Sequence, residues 1–92
     1  MIRAQVLYEE APDADRYAEH VELCRKVPGA TFRHGRVFGA PTGKPKYAYY
    51  AEFEFSDMDA FKAAATGEEF AATAKDAMEM GKPFSVMFAD VE

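Results

Sequence analysis

The chain has no tryptophan and one cysteine, and its basic residues are outnumbered. A lone thiol, Cys24, excludes an internal disulfide. Sixteen acidic residues against 11 basic ones give a formal net charge of −5. Binding to nucleic acid needs a basic face, so no nucleic-acid partner is expected. No apolar run approaches the roughly 20 residues that span a bilayer. The opening Met1-Ile-Arg-Ala-Gln-Val-Leu-Tyr8 alternates, unlike the apolar centre of a signal peptide. A soluble, cytoplasmic protein with no membrane partner is therefore expected. No phosphate-binding loop, dinucleotide fingerprint or serine elbow is present. His20 and His34 lie on different elements, with no carboxylate at ligand spacing, so no metal is expected and no cofactor either.

The 92 residues suffice for one domain, residues 1–92, and 49% are hydrophobic and 14% aromatic. Residues 2–8 alternate as a strand. Pro12 suits the first turn of a helix, with Asp13 and Asp15 favouring its N-terminal end, and Pro28-Gly29 stops it after Val27. Residues 30–38 form a second strand with Ala30, Phe32, His34, Arg36 and Phe38 on one side. A Gly- and Pro-rich loop follows at 39–46. Residues 47–55 form a third strand, with Tyr47, Tyr49, Ala51, Phe53 and Phe55 pointing one way. Ser56 can cap a helix from Asp57, with Met58, Phe61, Ala64 and Ala65 as its apolar face. After Thr66-Gly67 a further helical piece turns Phe70, Ala74, Ala77 and Met78 inward. Gly81 and Pro83 close it, and residues 84–91 form the last strand, with Phe84, Val86 and Phe88 inward.

The order β-α-β-β-α-β predicts an α+β, ferredoxin-like antiparallel sheet with helices on one face. Its first strand lies beside the third, which lets Arg3 pair with Glu52 or Glu54 on the open face. Leu7, Val37, Tyr50, Met87, Ala89 and Val91 give that face much apolar area, and sheet-on-sheet packing of two copies would cover it.

The first helix places Tyr17, His20, Cys24 and Val27 within an arc of roughly 80°. A histidine there has two readings. It is a core imidazole bonded to a carbonyl or a strand tyrosine, or it is a pocket acid/base. Tyr17, Tyr47, Tyr49 and Phe53 form either an aromatic wall around a flat ligand or simple core packing. Arg36 is either the binder of a ligand carboxylate or part of a solvated edge. Cys24 has no cation on its face and reads as an inert, buried thiol.

The ordered set Leu7-Tyr8, Asp15-Arg-Tyr17, His20-Val-Glu-Leu23 and Val27-Pro-Gly29, then the Gly39-to-Pro45 loop and the Ser56-Asp-x-x-Ala-Phe61 helix, resembles the EthD family of dimeric α+β barrels. The resemblance covers essentially the whole chain. It implies a homodimeric barrel with the helices outside and a pocket in each protomer between helices and sheet. It also implies isomerase, cyclase/dehydratase or cofactor-independent monooxygenase chemistry on a hydrophobic, oxygenated small molecule. The family's helix histidine matches His20, which becomes the expected acid/base, with Tyr17, Tyr47, Tyr49, Phe53 and Arg36 as the expected substrate-binding residues. The alternative is a non-catalytic binding or accessory dimer.

Overall fold

The alternation of residues 2–8 is realised as strand β1 (Ile2–Tyr8), at the centre of a four-stranded sheet. A computed structural model describes residues 1–92. The remaining elements are α1 (Ala14–Cys24), β2 (Ala30–Arg36), β3 (Tyr49–Phe55), α2 (Met58–Ala65), α3 (Glu68–Glu79) and β4 (Phe84–Asp90). The strand order is β2-β3-β1-β4 and every neighbouring pair is antiparallel. This is the expected ferredoxin-like α+β fold. No helix is long and apolar enough to cross a membrane.

The sheet register sorts the side chains into two faces. Ile2, Ala4 and Tyr8 of β1, with Phe53 and Phe55 of β3, are buried under the helices. On the opposite face Arg3 Nε lies 2.7 Å from Glu52 Oε2, and its Nη2 lies 2.9 Å from Glu54 Oε2. Arg33 adds a 3.3 Å contact to Glu54. The anticipated Arg3 pairing is therefore present. On this face too, Tyr50 lies across Gly35, where an added Cβ would come within 3.0 Å of its ring.

Helix α1 starts after Asp13, whose carboxylate accepts from the Arg16 N–H at 3.0 Å. It ends at Cys24 rather than Val27, and turns carry the chain on to the positive-φ Gly29. Tyr17, His20, Val21 and Cys24 are buried, as the arc requires. Helix α2 is capped one residue later than expected: Asp57, not Ser56, accepts from the Ala60 N–H at 2.8 Å. Either residue type serves as a cap, so sequence alone does not separate the two. The paired parts of β2 and β3 are shorter than expected, and Tyr47 falls in the connection between them.

Of the residues expected inward on α3, Phe70 and Ala77 pack toward the sheet, while Ala74 and Met78 border the gap beside it and stay exposed, Met78 to 73%. Thr73 and Met80 join the inward side, and the Asp76 carboxylate is held by Arg16 and His20 of α1. Val86 and Phe88 point to the helix side but remain 50% and 59% exposed. The helices pack only lightly on β4, where Phe61 of α2 meets Phe88 with ring centroids 5.0 Å apart. The gap between α3 and β1–β4 is a cavity.

Candidate functional site

That cavity has a volume of about 220 Å³ and an almost wholly apolar lining. Phe53, Phe70, Ala77, Phe84 and Val86 supply much of it. Tyr8, His20 and Thr73 are its polar-tipped residues. Thr73 Oγ1 already donates to the Phe70 carbonyl at 2.7 Å. The Tyr8 hydroxyl is buried and has no partner. Burial pushes this phenol up to about 12, so it stays a proton donor across the physiological range.

His20 is 4% exposed. Its Nδ1 lies 2.8 Å from Asp76 Oδ2. Arg16 grips the same carboxylate through both terminal nitrogens, at 2.6 and 3.1 Å. The Arg16 hydrogen bonds hold the Asp76 carboxyl below its ordinary range; burial opposes this and the His20 bond adds to it. An ionised carboxylate only accepts, so the proton sits on Nδ1. The Nε2 atom, which has no partner in the chain, is then a lone-pair nitrogen beside an apolar cavity. Such a pair can take and return a proton.

On the other flank of α1, an open groove of about 430 Å³ runs between the helix and the β2–β3 edge. Tyr17, His34 and Tyr49 wall it on one side, and Pro12, Ala14, Ala18 and Val21 on the other, with Glu22 and Arg25 on the rim. His34 Nδ1 is 2.8 Å from the Tyr49 hydroxyl. Burial, with help from Arg25, lowers the basicity of His34.

The expected site residues are thus divided. His20 and Phe53 face the cavity, while Tyr17 and Tyr49 face the groove. Arg36 stands opposite Tyr49 in the register but does not line the groove. Tyr47 lines neither, and Lys46 lies 5.4 Å over its ring. Tyr8 and Asp76 carry no sequence signal of a site: Tyr8 shares its strand face with core residues, and Asp76 is one acid among several on an Ala-rich helix. Cys24 is 1% exposed, and burial pushes its thiol up to about 12, away from thiolate chemistry. No three His, Cys, Asp or Glu side chains converge in the fold.

A family model described as the EthD domain matches residues 9–81. No curated protein matches. Among solved structures, an ethyl tert-butyl ether d (EthD) family protein from Bacillus halodurans is 29% identical, with a TM-score of 0.83 over 100% of this chain and 99% of that one. A dimeric ferredoxin-like protein of unknown function from Jannaschia sp. is 21% identical, with a TM-score of 0.74 over 98% of each chain. A hydroxynitrile lyase from Passiflora edulis is 13% identical, with a TM-score of 0.76 over 99% of this chain and 93% of that one. The last two likenesses are of fold alone.

Proposed function

The chain belongs to the EthD family, and we propose that it is a small enzyme that moves a proton on a hydrophobic, oxygenated molecule without a redox cofactor. The Asp76–His20 pair at the wall of an apolar cavity carries this reading. Nε2 of His20 takes a proton from a carbon next to a carbonyl. The C–H electron pair moves toward the carbonyl oxygen, and the imidazolium then returns a proton to complete an isomerisation, cyclisation or dehydration step. The Tyr8 hydroxyl is the unpartnered donor available to the substrate oxygen. Arg16 keeps Asp76 ionised, and Asp76 keeps the imidazole in the productive tautomer.

The working unit in this proposal is a homodimer joined through the open sheet face. Its solved relatives include proteins described as dimeric, and the ladder of Arg3, Arg33, Glu52 and Glu54 is flanked there by Leu7, Tyr50 and Met87. Tyr50→Asp should give monomer or unfolded protein by sedimentation. An intact dimer would remove that interface.

The chemistry is tested with 2-tetralone in D2O, following loss of the α-proton signals by NMR. The protein should accelerate exchange above buffer, with saturation, and His20→Gln should abolish the acceleration. A second reading, a binding module without turnover, is favoured by one observation: the Arg16–Asp76–His20 network ties α1 to α3 and would stabilise the fold with no chemistry at all. Saturable tetralone binding with no exchange, together with a large loss of stability in His20→Gln, would select that reading.

A further inference from the structure

We propose that the groove between α1 and the β2–β3 edge is a second binding site, distinct from the His20 cavity, and that it takes a planar aromatic carboxylate. The charge distribution points there first. From Leu23 to Ala51 the chain has no Asp or Glu, yet it holds six of the 11 basic residues: Arg25, Lys26, Arg33, Arg36, Lys44 and Lys46. An acidic protein therefore carries one basic tract, and the groove lies along it.

Within that tract Arg33 is paired to Glu54 on the opposite sheet face. Arg25 and Arg36 have no carboxylate partner anywhere in the chain. Arg25 is nevertheless positioned: its guanidinium carbon lies 5.8 Å over the Phe32 ring centroid. Arg36 faces Tyr49 across the strand pair. Arg25 thus lines the groove with its charge unpaired, the unpaired charge of Arg36 acts on its Tyr49 wall, and a planar fork suits a planar carboxylate.

Between them sits the His34–Tyr49 pair. A neutral imidazole and a phenol own one polar hydrogen each, and their mutual bond uses only one. Whichever way that bond runs, one N–H or O–H remains as a donor, either His34 Nε2–H or Tyr49 O–H. Burial and Arg25 both keep His34 neutral, so this arithmetic holds at neutral pH. The walls favour a flat ring. Tyr17 packs edge-on against Tyr49, at 5.2 Å and 75°, and against His34, at 5.5 Å and 67°. Aliphatic side chains of α1 face them across the groove. Glu22, three residues from Arg25, is the single carboxylate in the lining and opposes an anion.

The chain has two histidines, one per site, so the ring signals of His34 and His20 report the two locations separately. Benzoate and its neutral isostere benzamide are the probes, titrated by histidine side-chain NMR. Benzoate should shift His34 saturably and leave His20 in place. Benzamide should bind about fivefold to tenfold more weakly. Arg25→Gln and Arg36→Gln should each weaken benzoate by a similar factor without affecting benzamide, and Glu22→Gln should tighten benzoate. Equal affinity for benzoate and benzamide overturns the proposal. So does a benzoate response that appears at His20 or does not saturate, or affinity unchanged in both arginine variants. The His20 exchange assay with 2-tetralone is independent of all these outcomes.

Discussion

The two histidines sit on opposite flanks of α1, and each is bonded through Nδ1 at the same 2.8 Å. Their partners differ. His20 faces a carboxylate, itself held by an arginine, and looks into an apolar cavity. His34 faces a phenol, lies under the influence of a free arginine, and opens on a groove. What stands on the far nitrogen therefore sets what each ring can do. An anion fixes the tautomer of His20 and leaves its Nε2 as the lone-pair nitrogen. A neutral hydroxyl and a nearby cation make His34 a neutral donor or acceptor, suited to binding.

Asp76→Asn should break that contrast with the largest effect. It removes the negative charge beside His20 and the two-pronged partner of Arg16, leaving Arg16 only the more distant Glu19 and Glu79, so it should clearly lower stability at neutral pH. The pH dependence has a definite sign. The folded-state pKa of Asp76 is depressed, so its contribution is present above the ordinary carboxylate range of about 4 and is lost as pH falls below it. The stability gap between wild type and variant should narrow in acid. A gap in urea unfolding that stays constant from pH 7 to pH 3 would mean that the carboxylate is not the source.

Exchanging the histidines one at a time sharpens the contrast. His20→Gln should reduce tetralone exchange by about a hundredfold or more and leave benzoate affinity unchanged. His34→Gln should leave exchange alone and weaken benzoate. If both variants reduce exchange equally, the cavity and the groove are one site, and the division drawn between them fails.

Much of this arrangement is legible in the sequence. Period-two alternation placed Phe32, His34 and Arg36 on one face, and the helical arc put Tyr17 and His20 inward. The Arg3–Glu52 and Arg3–Glu54 contacts followed from strand order alone. What was not legible is non-local. Asp76 is a site residue only because α3 lies beside α1, where Arg16 and His20 meet its carboxylate. The division of Tyr17 and Tyr49 from Phe53 depends on where α1 rests across the sheet, and no periodicity within one element encodes that. The exposed Val86 and Phe88 have the same origin: alternation gave their direction, but not the gap between them and α3.

Tyr49→Phe tests the contrast at its finest grain. The ring and its edge-on packing against Tyr17 are kept, and only the hydroxyl bonded to His34 is removed. An exposed neutral hydrogen bond contributes about 0.5–1 kcal/mol, so stability should fall by no more than that. The chemistry at His34 changes more than the energy does. Without the hydroxyl, neither ring nitrogen is fixed, and the pair's spare donor becomes an imidazole proton shared between two positions. His34 ring nitrogen shifts should therefore move toward a tautomer average, benzoate should weaken by a few-fold, and His20 signals should not move. A shift at His20 would mean that Tyr17, whose ring lies 5.6 Å from His20 and 5.5 Å from His34, couples the two flanks of the helix through its packing.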